Sequence, residues 1–266
     1  MKLAVAGKGG VGKTTIAAWL GDHLARQGRD VWLVDADTAL SLGAALGLPP
    51  SAVPTPLIDD AELIRSRVGQ GMISLTPEVA DLPERLRVRV AGANLVVMGS
   101  VAGAGGGCAC EANALLKALV AHLVLERDQW LVVDLEAGVE HLGRGTVAGV
   151  DGLVVVSEPS LRALSVAARV AEMAAGLGLT RQVLVLNRAP SGTDSPAAAA
   201  PLTALPDVPG LPPLAAVIPP LPGLVERQLT RASVLGLPER PVIDAAMDAI
   251  LSALRHAAPG NPQPAR

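Results

Sequence analysis

The sequence predicts a single α/β domain with a mostly parallel sheet flanked by helices on both faces. Short, continuous apolar runs, of the kind buried on both sides of a sheet, alternate with helical stretches. A glycine-rich loop separates the first of these runs from the first helix. The chain has 266 residues, 50% of them apolar, which suffices for one large core.

The strands are expected at Lys2–Ala6, Asp30–Asp35, Leu95–Met98, Trp130–Leu135, Leu153–Ser157, Gln182–Leu186 and Leu214–Ile218. Helices are expected from the glycine loop to about Arg26, over Asp59–Val68, Glu111–Leu125 and Ser160–Ala175, and finally over Val242–His256. Proline-rich Leu48–Pro56 and the Pro/Ala/Ser-rich Ala189–Pro213 read as surface loops. One domain over residues 1–258 is expected, with 259–266 a disordered tail.

Composition narrows the function classes. Phe and Tyr are absent and only 3 Trp occur, so the core must be built from Val, Leu, Ile and Ala. The net charge is −3 and no run of Lys or Arg stands out, which argues against a nucleic-acid partner. Arg85, Arg87 and Arg89 read as a solvated surface. Met1-Lys2 leads into too few apolar residues for a signal peptide, and no apolar run is long enough to span a bilayer. A cytoplasmic protein without a membrane partner is expected.

The chemistry begins in Gly7-Lys8-Gly9-Gly10-Val11-Gly12-Lys13-Thr14-Thr15. Gly7, Gly12, Lys13 and Thr14 match the phosphate-loop pattern G-x-x-x-x-G-K-[ST], between a strand and a helix as that motif requires. The glycines let backbone N–H groups turn toward phosphate oxygens, and the helix aims its positive end at the same anion. Lys13 supplies charge to the β- and γ-phosphates, and Thr14 offers a hydroxyl to Mg2+. The fold is thus expected to be a single-domain P-loop NTPase, with ATP and Mg2+ as its ligands.

The additional Lys8 makes the loop resemble the deviant Walker A loop of the group that includes MinD, ParA, the nitrogenase iron protein and the arsenite ATPase. That resemblance implies a homodimer with nucleotide sandwiched between the copies, Lys8 reaching the partner's phosphates as an arginine finger does. It also implies that Asp37, in Val34-Asp35-Ala36-Asp37, orients the attacking water. Asp134 closes the apolar run Leu131-Val132-Val133-Asp134 in the Walker B pattern and is expected to hold Mg2+ through a water. Gly138 is expected to meet the γ-phosphate through its N–H.

The chain has only two cysteines, Cys108 and Cys110, in a glycine-rich stretch before a helix. So short a loop disfavours a disulfide. Burial as two small hydrophobes is one reading, and metal binding by thiolates is the favoured one. Two thiolates do not close a four-coordinate site, but a twofold dimer brings four to its axis. Four thiolates suit Zn2+ or an iron–sulfur cluster as readily as Ni2+.

With these residues in hand the chain resembles the CooC family, the ATPases that mature nickel-dependent carbon monoxide dehydrogenase. The resemblance runs from Met1 to about Arg188 and is most specific in Gly107–Leu116, Asp134–Thr146 and Ser157–Arg162, with Ile73–Pro83 also similar. It implies nickel bound at Cys108 and Cys110 of both chains, and delivery of that nickel to a client enzyme, coupled to ATP hydrolysis. It further implies that Asn187 recognises the adenine. Glu136, Glu140, His141 and Arg144 fall in the segment that would couple metal to nucleotide state, or serve there as caps and ion pairs. The family's Ile-Pro-Tyr-Asp stretch is Ile218-Pro219-Pro220-Leu221 here. Two other readings stand beside this one. A MinD/ParA-type positioning ATPase would give the cysteines no role, and an iron–sulfur carrier of the ApbC/Mrp type would carry C-x-x-C nearer the C-terminus.

Overall fold

The computed structural model describes residues 1–69, 74, 77–99, 109–123, 129–136, 150–190 and 208–256. The elements run β1 (Lys2–Ala6), α1 (Lys13–Arg26), β2 (Asp30–Ala36), α2 (Leu42–Ala45), α3 (Ala61–Val68), α4 (Leu82–Leu86), β3 (Val88–Val90), β4 (Ala93–Val97), α5 (Ala109–His122), β5 (Gln129–Leu135), β6 (Gly152–Ser157), α6 (Leu161–Gly176), β7 (Gln182–Asn187), β8 (Leu214–Ile218), α7 (Pro222–Gln228) and α8 (Arg240–His256). Eight strands form one sheet in the order β3-β4-β2-β5-β1-β6-β7-β8. Every neighbouring pair is parallel except β3 with β4.

Side chains that alternate along each strand build two cores. Leu3 and Val5 of β1, with Val31 and Leu33 of β2, join the cluster that holds Ile16 and Leu20 of α1 and Ile250 of α8. Ala4, Ala6, Trp32 and Val34 face the other way, toward Leu115 of α5 and Leu164 of α6. Helices therefore cover both faces, which is why the strands read as continuous apolar runs. Trp19, a large ring in the first core, finds a polar partner, its indole N–H donating to the Val234 carbonyl at 2.8 Å.

Local chemistry sets several boundaries. The Ser160 hydroxyl accepts from the Ala163 N–H and caps α6; Asp60 does the same for α3 with Leu63. Two expectations need correction. The Leu48–Pro56 loop contains a 3-10 turn at Pro50–Ala52 and is followed by another at Leu57–Asp59. Arg87, just before a short edge strand, is half-buried rather than solvated; Arg89, within that strand, is exposed as expected, and both donate to the buried Asn94 side-chain oxygen. Arg85 is exposed, as expected. Residues 191–207 of the expected Ala189–Pro213 loop, and all of the expected tail at 259–266, lie outside the described residues.

Candidate functional site

In a parallel sheet all connections from strand to helix leave from the same edge, and ligands gather there. The phosphate loop links β1 to α1 at that edge, beside the carboxyl ends of β2 and β5. Gly7 and Gly12 adopt positive φ (149° and 98°), and a Cβ at either would collide with the Val156 carbonyl or the Asn187 amide. Gly12 occupies the N-cap of α1 without a side-chain cap, and no acidic residue sits in the first turn. Those unclaimed N–H groups and the positive helix end remain available to an anion.

Lys13 is buried at 6% exposure, whereas Lys8 is exposed. The Thr14 hydroxyl donates to Asp134 Oδ2 at 2.6 Å, and the Ser41 hydroxyl lies 3.4 Å from that of Thr14. Asp35 and Asp134 are register partners on adjacent strands, both at 0% exposure. Burial pushes the Asp134 carboxyl up to about 7; the hydrogen bond from Thr14 opposes this and the Asp35 charge adds to it. Burial likewise pushes Asp35 up to about 6, against N–H groups of Leu42 and Asp37 that donate to its two oxygens. Asp35 thereby ties the start of α2 to the strand end and shapes the turn that carries Asp37. Asp37 in turn accepts from the Ala39 N–H at 2.9 Å, and Thr38 donates to Glu136 at 2.9 Å.

A cavity of about 410 Å³ at this edge is lined by Gly9, Gly10, Gly12, Lys13, Thr14, Asp37, Ala39, Ser41 and Glu136. A larger groove of about 540 Å³ between β8 and α8 is lined by Ala, Val and Pro side chains, with no group able to do acid–base or phosphate chemistry. The smaller cavity gathers the phosphate-loop residues with carboxylates and hydroxyls and is the candidate site. Mg2+ fits it. Asp134 Oδ1 is buried without a hydrogen-bond partner, and the adjacent Thr14 hydroxyl completes a pair of hard oxygen donors.

Of the expected site residues, the structure places the loop Gly7, Lys8, Gly9, Gly10, Val11, Gly12, Lys13, Thr14 and Thr15 between β1 and α1, brings Asp37 into the same cavity lining, and joins Asp134 to Thr14 by a hydrogen bond. Asn187, assigned to adenine by resemblance, is 6% exposed and donates its amide to the Val11 carbonyl at 2.8 Å. Cys108 and Gly138 lie outside the described residues, as do Glu140, His141 and Arg144. Cys110 is described only through the backbone of α5, whose first turn contains it. Because α5 follows the carboxyl end of β4 and precedes the start of β5, that turn opens on the phosphate-loop edge. Among the described residues no group of three or more His, Cys, Asp or Glu could hold a metal ion, and no helix is long and apolar enough to cross a membrane. Sequence reasoning gave no role to Ser41 or Arg188, which carry no motif. Arg188 donates to the Gly10 carbonyl at 3.1 Å and to Glu158 at 2.8 Å.

Comparison with known proteins agrees with this geometry. The profile of the CobQ/CobB/MinD/ParA nucleotide-binding domain matches residues 2–234. The carbon monoxide dehydrogenase accessory protein CooC of Rhodospirillum rubrum is 39% identical over 201 residues, 73% of this chain and 76% of that protein. The septum site-determining protein MinD of Thermotoga maritima is 32% identical over 189 residues, 70% of this chain and 63% of that protein. In solved structures, MinD of Pyrococcus horikoshii complexed with Mg-ADP superposes with a TM-score of 0.64 at 23% identity, covering 97% of this chain and 99% of that one. The MinC:MinD complex of Aquifex aeolicus gives 0.66 at 20% identity, over 98% of each chain. These last two establish the fold alone. The chain belongs to the CobQ/CobB/MinD/ParA family of nucleotide-binding domains, and within it is an ATPase of the CooC type.

Proposed function

We propose that the chain is a cytoplasmic, ATP-hydrolysing metallochaperone that binds nickel through Cys108 and Cys110 of two copies and assists nickel insertion into carbon monoxide dehydrogenase. The observation that carries the reading is the 39% identity, over three quarters of each chain, to a protein named for its accessory role to that dehydrogenase. The position of Cys110 supports it. Its helical turn opens on the edge that carries the phosphate loop, so a dimer formed across that edge would bring two Cys-x-Cys pairs toward one axis.

Each chain's own residues then have definite tasks. The loop N–H groups and Lys13 hold the β- and γ-phosphates, and exposed Lys8 reaches the partner's nucleotide. Asp37, on the turn fixed by Asp35, orients the attacking water. Gly138 meets the γ-phosphate, and Asn187 lies near enough to the loop for its neighbourhood to receive the adenine. Thr14 and Asp134 would hold Mg2+, which would supply charge to neutralise the phosphates. Nickel is cargo in this scheme, with Zn2+ able to compete for the same thiolates.

The similarity to MinD favours a second reading, a positioning or regulatory ATPase without metal delivery. Native mass spectrometry of the reduced protein with Ni2+, with and without a non-hydrolysable ATP analogue, separates the two. One Ni2+ per dimer, lost in the Cys108→Ser, Cys110→Ser double variant with ATPase activity retained, is the expected outcome. A nucleotide-dependent dimer that binds no metal would instead favour the positioning role.

A further inference from the structure

The phosphate loop needs its N–H groups turned inward, so its carbonyls must turn outward and find partners elsewhere. Two consecutive carbonyls are gripped by two consecutive residues at the end of β7. The Asn187 amide donates to the Val11 carbonyl at 2.8 Å, and the Arg188 guanidinium donates to the Gly10 carbonyl at 3.1 Å. The same guanidinium nitrogen is anchored by Glu158, 2.8 Å away, just beyond β6. Neighbouring residues on a strand normally point to opposite faces. Here Arg188 takes a left-handed backbone, φ 55°, one of three non-glycine residues with positive φ among those described. That conformation breaks the alternation and lets both side chains turn to the loop. A left-handed arginine is unfavourable in itself and persists only where other contacts hold it.

We infer that Asn187, Arg188 and Glu158 form a clamp that holds the phosphate loop open for nucleotide before nucleotide arrives, with Arg188 as a positioning residue for ATP binding. Asn187 is wedged against Gly12, where any Cβ would strike its amide, so the fit is tight on both sides. The clamp acts through backbone carbonyls and touches no phosphate itself. It rests on the ATPase alone, so failure of nickel binding would leave it standing.

The decisive variant is Arg188→Gly, because glycine accepts the left-handed backbone while deleting the grip. Isothermal titration should find ATP bound about tenfold more weakly, the scale of one lost charge-assisted hydrogen bond. The melting temperature should stay level or rise, and kcat at saturating ATP should stay within about twofold, with the loss appearing in KM. Arg188→Lys, which keeps a cationic donor, should recover part of the affinity. Unchanged ATP affinity in Arg188→Gly would overturn the clamp, as would a melting temperature that falls with the affinity. A lysine variant that recovers nothing would also overturn it.

Discussion

The two edges of the sheet carry similar polar side chains and treat them oppositely. At the amino edge, Asp30 accepts from Asn94 at 3.1 Å and Gln129 at 3.0 Å, and Asn94 accepts in turn from Arg87 and Arg89. The amino terminus donates to the Gln129 carbonyl, and Asp151 accepts from the Lys2 N–H. At the carboxyl edge, Asp134 is fully buried with one oxygen lacking a partner, next to the fully buried Asp35. Their carboxyls are pushed up to about 7 and about 6. Polar groups that satisfy one another stabilise the fold; a carboxylate left short of partners is stabilised by what binds to it. The contrast locates the chemistry without reference to any motif.

The strongest way to break this contrast is at Lys13. Lys13→Ala removes the buried lysine of the phosphate loop and, on the proposed reading, should weaken ATP binding by about 100-fold or more, measured by titration. Near-normal affinity would show that the carboxyl edge is not the nucleotide site.

Asp134→Asn sharpens the contrast by acting on stability and activity in opposite directions. Burial raises the Asp134 carboxyl from an ordinary carboxylate value of 3.8 to about 7, so between those values the folded chain holds the extra proton. Stability without nucleotide therefore falls as pH rises through that window, and the cost is fully present above it. The asparagine variant should escape this cost and be more stable at pH 8 by about 1–3 kcal/mol in denaturant unfolding, while losing Mg2+-dependent turnover. A variant less stable than the parent at pH 8 would refute the burial argument.

At the amino edge the expected effect is smallest and purely structural. Asn94→Ala leaves Asp30 and two arginines without their shared partner, and should cost about 1–3 kcal/mol of stability. The KM for ATP should not move. A changed KM would mean that the two edges are coupled through β2 and β4.

The missed strand β3 is instructive because it is only three residues long, with Arg89 at its centre and Arg87 just before it. Nothing in its pattern separates it from a solvated turn until β4 supplies a partner. Asp35 was visible as part of Asp35-Ala36-Asp37, but which of the two acids turns inward depends on the register with Asp134. Asn187 was visible as a residue after a strand, and its contact with Val11 spans 176 residues.

By itself, the sequence determined the parallel α/β layout and the phosphate loop. Continuous apolar runs, a glycine loop and strand-end acids are each encoded in contiguous residues, where backbone geometry and burial leave few alternatives. The tertiary structure alone decided which carboxylates are buried, where the loop carbonyls are held and why Arg188 adopts a left-handed backbone. Those outcomes depend on β5 lying between β2 and β1, and on β6 lying between β1 and β7, a choice made by long-range packing of strands that look alike one at a time.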